Sequence, residues 1–134
     1  MKQKFSTSWE ASKQPRKKRK YLANAPLHIK QKLMSSHLDK DLKKKYNKRS
    51  MTIRKGDEVK VMRGNFSNKK GKIEKVDLKR TRVTIEGIQR SKKDGSKVNV
   101  WFNPSKLKIV ALNLDDKKRI KSNNIEEKNA PKNK

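Results

Sequence analysis

β-Branched residues recur at alternate positions only between Thr52 and Leu112, and this is the feature that most limits what the chain can fold into. Val59 and Val61 flank Lys60, Ile73 and Val76 follow Gly71, and Val83 and Ile85 flank Thr84. A period of two puts one set of side chains on one face, so these segments read as half-buried strands. Lys93-Asp94-Gly95-Ser96 holds an Asp-Gly pair, which tolerates two positive φ angles. It predicts a tight hairpin turn between Gln89-Arg90 and Val98-Asn99-Val100. Asn103-Pro104-Ser105 then breaks the chain before a last strand, Leu107 to Val110. Five short strands with no helix between them predict a mostly β protein built on a small five-stranded barrel. Side chains fill the interior of a barrel this small, which weakens any small-molecule reading and puts function on the outside and in the loops.

Charge sets the second limit. Forty Lys and Arg face 13 Asp and Glu in 134 residues, a formal net charge of +27, with 30% hydrophobic residues. Such a chain cannot bury itself in one core. The expected organisation is a basic N-terminal extension over 1–50 with one or two short helices, the barrel over 51–112, and a C-terminal helix and polar tail over 113–134. The absence of Cys excludes disulfides and thiol nucleophiles and suits a reducing, intracellular compartment. No apolar run approaches the roughly 20 residues of a spanning helix. Met1 to Glu10 lacks the apolar stretch of a secretion signal, so a cytoplasmic location without membrane insertion is expected.

In the extension, Arg16-Lys17-Lys18-Arg19-Lys20 repels itself, and it is expected to stay uncompacted until a polyanion neutralises it. It reads as a solvated tail or as a nuclear-import or nucleic-acid patch, and +27 favours nucleic acid. Pro26 suits the first turn of a short helix, Leu27 to Ser35, with Ile29 and Leu33 on one face. Ser36 is a second N-cap candidate, with Asp39 where a capping-box acid would stand. Leu38, Leu42 and Tyr46 follow as an apolar stripe at helical spacing. The loop Arg63 to Gly71 has glycines at both ends, Gly64 and Gly71, and its turn offers backbone N–H groups that can cradle a phosphate. Phe66 either stacks on a base or folds back over the barrel mouth, and Trp101 reads as packing or interface, with stacking on RNA the lesser alternative. Catalysis finds no footing: His28 and His37 are the only histidines, with few carboxylates near them, so no nucleophile, metal set or cofactor is expected. Asp57-Glu58 face opposite ways on a strand, and Asp115-Asp116 suit the N-terminus of a short helix through Ile120.

Lys55-Gly56-Asp57-Glu58-Val59-Lys60-Val61-Met62-Arg63-Gly64, continued by Lys70-Gly71-Lys72-Ile73, resembles a KOW motif, in which Gly71 is the defining glycine. The flanks Asn24 to Ser36 and Leu42 to Val59, with Ile88 to Val110, resemble the archaeal and eukaryotic branch of large-ribosomal-subunit protein twenty-four. The resemblance spans about residues 12 to 120. It implies an SH3-like barrel that binds the 5′ region of large-subunit ribosomal RNA, helps to start subunit assembly and lies near the nascent-chain tunnel exit. The partners it implies are that RNA and neighbouring ribosomal proteins. Ser67 stands where the family carries a basic residue after the loop aromatic, which implies that this contact is either weaker or carried by Lys69 and Lys70. The alternatives are a KOW-type transcription elongation module and a DNA-architectural protein.

Phosphate neutralisation makes the cations the candidate contacts. They are Arg16, Lys17, Lys18, Arg19 and Lys20 in the arm, then Lys44, Lys45, Arg49 and Arg54, then Arg63, Lys69, Lys70 and Lys72 around the loop, and Arg80, Arg82, Arg90, Lys92 and Lys93 beyond it. The arginines are favoured, because a planar fork can bond a phosphate twice or stack on a base. Gly71→Val is expected to disturb the loop's turn.

Overall fold

The computed structural model describes residues 5–6, 8–9, 12–116 and 118–121. In chain order it has α1 (Pro15–Asn24), α2 (Leu27–Leu33), β1 (Ser35–Leu38), α3 (Lys40–Tyr46), β2 (Ser50–Thr52), β3 (Glu58–Val61), β4 (Lys70–Asp77), β5 (Arg82–Ser91), β6 (Lys97–Phe102), a 3-10 turn (Pro104–Lys106), β7 (Leu107–Ala111) and α4 (Lys118–Lys121). The strands form one open sheet in the order β2-β1-β7-β3-β4-β5-β6. All neighbours are antiparallel except β1 and β7, which run parallel with His37 opposite Lys108 and Leu38 opposite Ile109.

The five expected strands are present as β3 to β7, so the mostly β reading holds. Two further strands correct the count: among the described residues the sheet has seven strands, and no ladder joins β2 to β6 to close it. The cause lies at Ser35-Ser36-His37-Leu38, where small polar residues hide the alternation. Ser36 and Leu38 are buried, and the Ser36 hydroxyl donates to the Pro104 carbonyl just beyond β6. Asp39, not Ser36, caps the following helix, its carboxylate accepting from Lys40 N at 2.7 Å. The stripe Leu38, Leu42 and Tyr46 therefore begins on a strand and continues on α3, yet all three still face the core. Asn47, at φ 46°, ends α3 in a left-handed residue, as asparagine tolerates.

The arm also differs from expectation, because Pro15–Asn24 is helical. Pro15 stands in the first turn, where its missing N–H costs nothing, and the straight side chains of Arg and Lys lose little rotamer freedom in a helix. α2 follows at Leu27, where the Pro26 carbonyl accepts from Ile29 N and Lys30 N. The hairpin after β5 is present, but only Gly95 takes a positive φ, and Lys92 N donates to Ser96 O to close a five-residue loop. Asp94 stabilises that loop by accepting from the N–H and hydroxyl of Ser96.

One apolar cluster forms the core. Val59 and Val61 of β3, Ile73 of β4, Val83, Ile85 and Ile88 of β5, Phe102 of β6, and Leu107 and Ile109 of β7 belong to it. Met34 and Leu38 come from the extension, and Met51 and Ile53 from the segment just after it, so the extension contributes to the same core. Phe66 folds back onto this cluster with its ring edge-on to Phe102, the centroids 6.0 Å apart. That settles its two readings in favour of packing.

A buried ion pair fastens the C-terminal end. Arg119 of α4 donates from Nη1 and Nη2 to the two carboxylate oxygens of Asp57 at 2.6 and 2.7 Å, and the side chains are 3% and 0% exposed. Arg54 N and Asn113 N donate to the same carboxylate at 2.8 and 2.9 Å. Arg119 also reaches the carbonyls of Asn113 and Thr52. Asp116 begins α4 as expected, accepting from Lys118 N. Removing one partner of a buried pair strands the other charge. Arg119→Met should therefore lower stability by about 3–5 kcal/mol in urea unfolding, whereas Arg54→Met, which breaks the exposed pair with Asp116, should cost about 1 kcal/mol or less.

Candidate nucleic-acid interface

All eighteen candidate cations are exposed. Arg16 to Lys20 lie on α1, Lys44 and Lys45 on the last turn of α3, and Arg49 and Arg54 on either side of β2. Lys70 and Lys72 sit on β4, directly opposite Lys60 and Glu58 of β3. Arg63 and Lys69 bound the loop between those strands, Arg80 lies in the turn before β5 and Arg82 is its first residue, and Arg90, Lys92 and Lys93 occupy the β5–β6 hairpin end. The cations thus fall into several patches carried by different elements. Arg54 differs from the rest, because its guanidinium is engaged with Asp116 at 2.5 Å.

The loop between β3 and β4 is closed by backbone hydrogen bonds. Ser67 N donates to Gly64 O, Asn68 N to Val61 O and Lys69 N to Phe66 O, at 2.9, 2.8 and 3.2 Å. These three N–H groups are committed to carbonyls of the loop and of Val61 in β3. Arg63, Lys69 and Lys70 remain exposed around it. The Lys69 ammonium lies 5.4 Å from the centre of the Phe66 ring, so the ring that packs inward also holds a cation at the rim.

The two motif glycines serve different ends. Gly64 has φ +100° and open space around the position of a Cβ, so its requirement is conformational. Gly71 lies within β4 opposite Val59, with no positive φ. A Cβ there would stand 2.7 Å from Ile85 Cγ2 and 2.9 Å from the Glu86 carbonyl oxygen. Its need is close approach of β5, which corrects the expectation of a turn at this position.

Two capping carboxylates are held below the usual carboxylate range. Asp39 is lowered chiefly by the hydrogen bond from Lys40 N and then by the Lys108 ammonium, 3.0 Å away. Asp116 is lowered chiefly by the Arg54 guanidinium and then by Lys118 N. Arg119 is the important residue that sequence reasoning missed, because its partner Asp57 is 62 positions away and no local pattern connects them. Trp101 stays 43% exposed on the sheet. Among the described residues no group of three His, Cys, Asp or Glu converges as a metal site would need, and no helix is long and apolar enough to cross a membrane.

A packed β core thus lies under a surface that carries separate cationic patches. Residues 12–128 match the profile of the family of ribosomal proteins called L26 in eukaryotes and L24 in archaea. Large ribosomal subunit protein uL24 of Methanosphaera stadtmanae is 49% identical over 108 residues, which cover 81% of this chain and 92% of the relative. The chain belongs to this family of ribosomal proteins, whose members are structural and not enzymes. Neither the transcription nor the DNA-architectural alternative is favoured by these matches.

Gly71→Ala should destabilise the fold by about 1–3 kcal/mol through overpacking against β5. Gly64→Ala should cost about 1–2 kcal/mol through its left-handed backbone alone, and rescue by Asn, which tolerates that conformation, is expected only at position 64 in chemical denaturation. The carboxylates set an acid limit. A folded-state pKa below the unfolded value contributes stability that is present at neutral pH and is lost as pH falls through the folded value. The thermal midpoint should therefore decline below about pH 4. Asp39→Asn, which keeps a capping oxygen but not the charge facing Lys108, should flatten that decline in melting curves recorded against pH.

Proposed function

We propose that the protein is a structural constituent of the large ribosomal subunit, bound to the ribosome in the cytoplasm. In this reading it recognises the 5′ region of large-subunit ribosomal RNA, supports early subunit assembly and lies near the nascent-chain tunnel exit beside other ribosomal proteins. The observation that carries the RNA-binding part is the exposure of every candidate cation over a packed core, which leaves the basic surface open to phosphate. The name of the relative from Methanosphaera stadtmanae supports the subunit. The strands β3 to β7 are the part we read as an SH3-like module, with α1 to β2 as its basic approach.

The mechanism is backbone neutralisation with recognition of outline. A-form RNA presents phosphates and 2′-hydroxyls across a shallow minor groove, which a fixed sheet with projecting loops reads by shape. Arg63, Lys69 and Lys70 form one contact, the cations of α1 a second, and Arg90, Lys92 and Lys93 at the hairpin end a third.

Neutralising about 8 phosphates gives a slope of log affinity against log salt near −6 to −7. Deleting residues 1–24 should reduce the magnitude of that slope by several units while the sheet stays folded, as judged by RNA titrations at several salt concentrations with circular dichroism alongside. An unchanged slope would remove the arm from the interface. Co-sedimentation of the intact protein with the large subunit at low and high salt tests the assignment itself, and migration with chromatin or polymerase would overturn it.

A further inference from the structure

Cations account for phosphates and leave the bases between them unread. At the N-terminal end three rings gather against α1. The Tyr21 ring stacks on Trp9 with centroids 4.5 Å apart and planes at 17°, and Phe5 meets the same ring at 4.8 Å and 39°. All three are half-buried, and together with Lys17 and Lys20 they line an open pocket. Lys17, Lys20 and Tyr21 stand at i, i+3 and i+4 on α1, so one helix face presents two ammonium groups beside an aromatic floor.

These rings do not belong to the main core. α1 buries no residue, and neither Tyr21 nor Trp9 nor Phe5 is part of the apolar cluster beneath the sheet. Among the described residues lining the pocket there is no carboxylate. An aromatic floor rimmed by cations suits a ligand that is planar in one part and anionic in the next, which is the chemistry of a nucleotide. An acidic peptide would satisfy the lysines but would offer the rings no planar partner.

We propose that Phe5, Trp9 and Tyr21, with Lys17 and Lys20, form a stacking site for one unpaired nucleobase of an RNA, the lysines holding its flanking phosphates. This inference rests on the RNA-binding reading above and adds to it a preference for a base outside a helix. Stacking on an aromatic side chain is independent of base identity to first order, so the site selects an unpaired base without selecting its sequence.

The test uses the full chain carrying Trp101→Phe, which leaves Trp9 as the lone indole. It is titrated with a stem-loop RNA that has one unpaired purine in its stem, with the same stem fully paired, and with adenosine monophosphate, following Trp9 emission and the anisotropy of labelled RNA. Quenching of Trp9 by the unpaired purine is expected, with tighter binding than to the paired stem by roughly five- to a hundredfold. Tyr21→Leu should abolish the preference and Tyr21→Phe should keep it. Equal affinities with no change in Trp9 emission would overturn the stacking site and leave RNA binding in place. Binding of the monophosphate as tightly as the stem-loop would overturn the assignment to RNA, and no binding of either RNA would overturn both readings.

Discussion

The carboxylate of Asp57 is the point on which the arrangement of the rest depends. Its two oxygens receive four donors: the backbone N–H of Arg54, the backbone N–H of Asn113 and both terminal nitrogens of Arg119. A carboxylate has about four lone-pair sites, so this one is saturated. The donors come from three different stretches of chain: the turn before β3, the segment after β7, and α4. A charge buried so completely is tolerated only when every partner is in place, which makes the junction all-or-none. Asn113 and α4 are thereby part of the folded unit, although the composition there resembles that of a polar tail.

The sheet places every other feature around this junction. Its apolar cluster is packed, and the exposed cations lie on what projects: the loop after β3, the β5–β6 hairpin end and the N-terminal helices. Phe66 shows how packing and projection are joined, since one side of the residue touches the core and the Lys69 ammonium rests over its ring. A cation held against an aromatic face loses less freedom on meeting a phosphate than one on a free side chain. Gly71 makes the close approach of β4 and β5 possible from beneath, and so fixes where the loop emerges.

Much of this is legible in the sequence, for identifiable reasons. Val59, Ile73, Val83 and Ile109 alternate with polar residues, and a period of two is a local signal that survives folding. The cations are legible as a surface because a group that carries full charge is rarely buried. β1 is not legible, because Ser36 faces the core through a hydrogen bond to Pro104 and leaves no apolar mark. The Asp57–Arg119 pair is not legible either, since 62 positions separate the partners and each looks like ordinary surface charge. In the arm, charge repulsion is the conspicuous signal and points to an uncompacted chain. The helix instead follows from the helix-favouring residue types there, and from Tyr21, which meets Phe5 and Trp9.

The parallel pairing of β1 with β7 has a consequence for the order in which the protein is made. Leu38 lies opposite Ile109, so the inner edge of β1 waits for a strand synthesised some 70 residues later. Until then β1 and β2 form an isolated two-stranded ribbon, which is marginal in water. Contacts this distant along the chain close slowly, because loop-closure entropy is lost before the pairing repays it. A nascent chain therefore carries a strongly basic, unfinished N-terminal half through most of its synthesis, and the sheet is completed only when its last strand arrives.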